Sequence, residues 1–179
     1  MAFNAKEATF AWNTADVAGT DYDVTFGAGF GTPVFFIVMC GGTISATDSL
    51  VTNRPICLGF GFGTSESNRR SMMFISEDAA TLAAYTIGHR EDAIVTTNAG
   101  LLDVDTNASW PTDGIRFTVD VQLNAFFGNL RITVLAFSGS DITAKNAFTI
   151  QEHTSAATQA YAHGLGATPT GALFCSVAW

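Results

Sequence analysis

Short runs in which large apolar residues alternate with polar or small ones recur along this chain, separated by clusters of Gly, Thr, Asn, Asp and Ser. Successive side chains of a strand point to opposite faces, so a period of two predicts a strand with one buried side. In YDVTF, Tyr22, Val24 and Phe26 take one side, and Asp23 and Thr25 the other. In ICLGFGF, Ile56, Leu58, Phe60 and Phe62 lie opposite Cys57, Gly59 and Gly61. In IRFTVDVQ, Ile115, Phe117, Val119 and Val121 point in, while Arg116, Thr118, Asp120 and Gln122 point out. LRITVLAF is largely apolar on both sides. VFFIVMC, 34–40, is apolar throughout, which predicts a central strand covered on both faces. TFAW and FTIQE are shorter candidates.

Turn clusters such as GAGFGTP, GTSESN, DTNASWPTDG and HGLGATP punctuate these runs. Only EDAATLAAY, 77–85, has helix-like composition, with Asp78 or Ser76 as its cap. Many short strands with regular turns predict an all-β fold, an antiparallel β-sandwich with at most one or two short helices. A jelly-roll-like order fits the same signature. The core is expected from Val24, Phe26, Phe35, Ile37, Leu58, Phe60, Phe117, Val119, Ile132 and Val134.

A chain of 179 residues suits one domain. Two thirds or more of its unfolded surface, about 70%, is then buried on folding. Charged residues make up only 13%, against a usual share of about 25%. So little charge predicts that partners cover part of the surface. The formal net charge of −8 argues against nucleic acid, which demands a cationic footprint. Arg69-Arg70 is the one adjacent basic pair and reads as a solvated loop. Cys40, Cys57 and Cys175 show no CxxC spacing, so neither a disulfide framework nor a zinc site is expected. No apolar run approaches the ~18 residues of a membrane helix. The opening MAFNAKEATFAWN lacks the features of a signal peptide, which predicts a product cytoplasmic at synthesis.

Part of the opening returns near the end. DYDVTFGAGFGTPVFF and TQAYAHGLGATPTGAL align with one inserted residue, matching Pro33 to Pro169. The expected organisation is a sandwich domain over 1–155. Residues 156–179 would then begin a second repeat, or supply a terminal strand to the domain or a neighbouring subunit. Residues 160–179 are expected to make strand contacts, with pairing starting after Pro169.

The order GFGTPVFFIV, LGFGFGTS, SMMFISED, DGIRFTVDV, RITVLAFSGSDI resembles repeat-containing structural proteins of tailed bacteriophages. In those proteins a G-F-x-P turn leads into an apolar strand and a D-G-F turn precedes an alternating one. The likeness covers most of 22–150 and resumes at 160. The DGI of 113–115 departs from the aromatic form by one residue. The resemblance implies a virion component and assigns no functional residue.

Motifs of chemistry are sparse. GAGFG and GFGFG meet strands rather than a helix N-terminus, so they read as turns and close packing, not as phosphate cradles. Asp103, Asp105 and Asn107 have the alternate spacing of a calcium loop. Ala108 stands where that loop needs glycine, and Gly114 where it needs glutamate, although Asp113 lies one position earlier. A polar loop indifferent to calcium is expected. His89, His153 and His163 are scattered, with no G-x-S-x-G or H-E-x-x-H motif to recruit them. Glu66, Glu77, Glu91 and Glu152 lie near strand ends without forming a marked pair. Asn107 begins a glycosylation sequon, expected to be silent without secretion. Trp12, Trp110 and Trp179 could stack on sugar rings, and Trp110 before Pro111 is best placed; its alternative role is to anchor a loop over the core.

No catalytic, cofactor-binding or metal residue is therefore assigned. The expectation is a non-enzymatic structural subunit of a virion (capsid, decoration or tail) with no cofactor. Its partners are other copies and other virion proteins, with neither nucleic acid nor membrane. The alternative is a carbohydrate-binding module of a tail fibre, with a glycan as partner. A hydrolase built on a β-sandwich is a third and weaker reading.

Overall fold

The computed structural model describes residues 3–13, 17–43, 56–76, 84–89, 92–98, 101–122, 129–147, 158 and 160–173. Ten strands run in order: β1 (Asn4–Asn13), β2 (Asp21–Thr25), β3 (Pro33–Thr43), β4 (Ile56–Ser65), β5 (Asn68–Ser76), β6 (Ala84–His89), β7 (Ile94–Asn98), β8 (Leu101–Ser109), β9 (Gly114–Gln122) and β10 (Asn129–Ser138). They form a six-stranded sheet, β1-β10-β3-β4-β5-β6, and a four-stranded sheet, β2-β9-β8-β7. Every pairing is antiparallel. The fold is an all-β sandwich, and no helix occurs among the described residues. The helix-like stretch 77–85 ends in β6, so Ala84 and Tyr85 are strand; 77–83 lie outside the described residues.

The inner faces of both sheets meet in one core. Ile115, Phe117 and Val119 of β9 face Phe36 and Val38 of β3 and Leu130, Ile132 and Val134 of β10, all nearly inaccessible. The rings of Phe36 and Phe117 meet edge to face at 5.9 Å, and Phe10 stacks on Phe117 at 5.7 Å. Such pairs add ~0.5–1.5 kcal/mol beyond the area they bury.

Six of the ten expected core residues are buried: Val24, Phe26, Phe117, Val119, Ile132 and Val134. The other four sit on the opposite face. On β3 the inward residues are Phe36, Val38 and Cys40, while Phe35 and Ile37 turn outward. On β4 the inward positions are Gly59, Gly61 and Gly63, while Leu58 and Phe60 turn outward. The reason is space. A Cβ on Gly61 would lie 1.9 Å from the Ala93 carbonyl oxygen, where the chain crosses to β7. A Cβ on Gly63 would lie 2.5 Å from the Phe36 ring, and one on Gly59 2.1 Å from the Cys40 sulfur. Close approach of backbone and core requires glycine inside, which forces the large residues of β4 out.

The GAGFG turn joins the two sheets. Gly27, Gly29 and Gly31 have φ of 90°, 85° and 84°, a region open to glycine and costly for other residues. This curl presents the amides of Gly29 and Gly31 to the carboxylate of Asp113, which accepts both. Asp113, itself at φ 59°, also accepts Phe26 N–H on its carbonyl at 2.9 Å and donates to the Gly31 carbonyl at 3.1 Å. Phe30 folds inward against Phe26, ring centroids 4.8 Å apart, and closes that end of the core. The turn is an anion nest filled by the protein's own side chain.

Arg69-Arg70 is not a solvated loop. Both lie on β5, and Arg69 is buried, donating to the Ala108 carbonyl at 3.0 Å and to Asn107 Oδ1 at 2.7 Å. Its guanidinium bridges the gap between sheets and meets oxygen at its far end, so its burial is compensated.

Beyond β10 the described chain carries no strand. Residues 160–173 are mostly exposed, and the stretch after Pro169 in which pairing is expected lies largely outside the described residues. Thr170, Gly171 and Ala172 offer little apolar area to bury, and 174–179 lie outside the described residues. Asn146 tethers this segment: it donates to the His163 carbonyl at 2.8 Å and accepts from Asn68 at 2.9 Å. Gly164 and Gly166 take φ of 67° and 68°, the same sign as Gly27 and Gly29, with which they align.

Candidate interaction surface

The outward residues of the large sheet form a grid fixed by strand register. Leu135, Ile37 and Phe62 line up across β10, β3 and β4. Met39, Phe60 and Met72 line up across β3, β4 and β5, and Leu58 pairs with Phe74. Phe35 stacks on Phe137 at 5.4 Å, and Phe3 lies against Phe137 at 5.7 Å. The result is a continuous apolar band running obliquely over four central strands. Its most open members are Phe3 (55% exposed), Leu58 (47%), Met39 (46%) and Phe74 (37%). The rest are half-buried. Glu7, Thr9, Arg70 and Arg131 border the band.

Strand β3 therefore departs from its expected cover. It is central, as its continuous apolar run requires, but among the described residues only its inner face is buried, while Phe35 and Ile37 are half-buried and Met39 is exposed on the outer face. Four strands at ~4.8 Å spacing and about five residues at ~3.3 Å rise give the band a footprint of roughly 300 Å². That reaches the size at which an apolar patch on a single chain is often functional.

The outer face of the small sheet is different in kind. Asp21, Asp23 and Thr25 of β2 stand beside Arg116, Thr118 and Asp120 of β9. Arg116 holds Asp23 through two bonds, Nε to Oδ1 at 2.7 Å and a terminal nitrogen to Oδ2 at 2.8 Å, and lies 3.1 Å from Asp21. Thr118 donates to Asp21 at 2.6 Å. The hydrogen bond from Arg116 holds the Asp23 carboxyl below its ordinary range, aided by charge attraction and opposed by slight desolvation.

The residues singled out for chemistry do not converge. Asp103, Asp105 and Asn107 belong to strand β8, not to a loop. Alternate residues on a strand are spread ~6.6 Å apart along a straight path, unlike the curved loop that gathers calcium ligands. Asn107 Oδ1 is already used by Arg69. Among the described residues no three His, Cys, Asp or Glu side chains gather as a metal site would require. His163 accepts the Leu165 amide at 3.2 Å, His89 is part of β6, and His153 lies outside the described residues. Glu66 accepts the Trp110 amide at 3.0 Å; Glu77, Glu91 and Glu152 lie outside.

Trp110 packs its ring on Phe36 at 5.2 Å, which makes it the anchor of the β8–β9 turn. Trp12 is buried, and Trp179 lies outside the described residues. The hollow between Val38, Cys40, Gly61, Ala93 and Ile94 has no room for a water molecule. No helix of the described residues is long and apolar enough to cross a membrane.

Sequence reading found the residues of the apolar band but placed four of them in the core. The inward glycines were the available signal: a strand with glycine at alternate positions must turn its large residues the other way if its partner comes close. No protein family, curated protein or solved structure matches the chain, so the functional reading rests on the chemistry of this surface.

Proposed function

We propose that this chain is a non-enzymatic structural subunit that works by docking the outer face of its large sheet within an assembly. The observation that carries the reading is the oblique band from Phe137 to Phe74, with Met39 and Leu58 nearly half exposed. An uncovered apolar sheet face costs solubility in a solitary protein and contributes binding free energy in an assembled one. The likeness to structural proteins of tailed bacteriophages supports a virion as the setting, with capsid, decoration or tail as its location.

Native mass measurement and electron micrographs of the purified chain test this. The reading expects discrete particles that persist on dilution into the micromolar range. A population of single chains at all concentrations would count against it.

A further inference from the structure

Resting on the assembly reading, we infer that the occupant of the large sheet's outer face is a second copy of this chain, packed face to face into a four-layer stack. The first reason is area. Six strands at ~4.8 Å spacing, most of them nine to eleven residues long, give the whole face ~29 by ~30 Å, or roughly 850 Å². A stable pair of ordinary size buries about 800 Å² on each partner. The face matches that requirement without help from loops.

The second reason is its anatomy. Phe60, Phe62, Met39, Met72 and Ile37 lie at the centre, and Glu7, Thr9, Arg70 and Arg131 at the edge. An apolar centre rich in Phe and Met within a polar rim is the arrangement of protein interfaces. Antiparallel sheets commonly pack face to face at ~10 Å separation, through side chains of this kind.

The third reason is charge. Two copies of net charge −8 repel unless their acids lie away from the contact. The described side chains of this face include one carboxylate, Glu7, and two guanidiniums, Arg70 and Arg131. Asp21, Asp23 and Asp120 lie on the far side of the sandwich. Two sheets and their side chains then separate these three acids from the contact by more than the ~8 Å over which salt screens charge.

Sedimentation velocity and equilibrium on the full chain test the inference. Wild type should sediment as a pair or a multiple of pairs. Met39→Glu and Leu58→Glu change open side chains and should leave the circular dichroism unchanged, yet weaken self-association at least a hundredfold. Asp23→Lys, on the other outer face, should leave association intact. If both glutamate variants assemble as wild type does, the face is not the contact; the inference falls, and an assembly through another surface survives. If wild type is a single chain up to about 100 μM, the inference and the assembly reading fall together. Should the variants lose their fold, small-angle scattering of wild type decides. Particles extended along the sheet normal support face-to-face packing, and particles extended in the sheet plane overturn it.

Discussion

The two outer faces of this sandwich are made from the same strand geometry and opposite chemistry. On the small sheet, Asp23, Arg116 and Thr118 alternate with buried Val24, Ile115 and Phe117, a polar side turned to water. On the large sheet, Phe35, Ile37 and Met39 alternate with buried Phe36, Val38 and Cys40, so both sides are apolar. A strand with one packed face needs one apolar side only. The second apolar side of β3 therefore points to a second cover, which the described residues of the chain do not supply.

The largest test of this contrast pairs neighbours on β4. Gly61→Ala places a methyl against the Ala93 carbonyl and should cost ~3 kcal/mol or more, because backbone must move. Phe60→Ala, one residue away on the open face, should cost the dissociated chain less than ~1 kcal/mol. Denaturant titration of both variants below the association range checks the pair, provided unfolding is two-state. Equal losses would show that the faces of β4 are not as different as described.

The turn that joins the sheets should behave independently of either face. Asp113→Ala removes the acceptor for the Gly29 and Gly31 amides and should lower stability by ~2 kcal/mol. Asp113→Asn retains one acceptor oxygen and tolerates the positive φ, so it should cost about half as much. Thermal melts read both, and neither variant should alter the mass of the assembly.

These two sites also mark where the sequence was legible. The alternation in IRFTVDVQ placed residues 115–120 of β9 on their correct faces, because polar residues fill one side completely. VFFIVMC named a central strand but not its orientation, since no polar residue breaks the symmetry between its sides. ICLGFGF suggested the wrong orientation, because size alternation looks the same whether the gap is filled by Phe from one side or by Ala93 backbone from the other. The GAGFG turn was legible as a turn, but its Asp113 partner lies 82 residues from Gly31, and no local pattern connects them. Trp110 was the one aromatic whose anchoring role could be anticipated, from its place before Pro111.

The smallest effect belongs to the polar face. Asp23 has a folded pKa below its unfolded value of about 4, so its contribution is present above that pH. The contribution is lost as pH falls through the lower folded value. Melting temperatures of wild type and Asp23→Asn should differ slightly at pH 6 and converge in that acid range. Added salt should shrink the difference, since the pair is solvent-exposed. A gap that widens on acidification would reverse the sign and contradict the described pairing.

The central claim is that the outer face of the large sheet is covered in the working protein. Methionine oxidation reads this directly, because Met39 is 46% exposed in the single chain whereas Met73 is fully buried in the core. The assembled protein is treated with hydrogen peroxide and the sulfoxide at each position is followed by peptide mass. The account predicts that Met39 is protected nearly as well as Met73, and that dilution to single chains exposes Met39 but not Met73. Rapid oxidation of Met39 in the assembled protein, with Met73 intact, would contradict it.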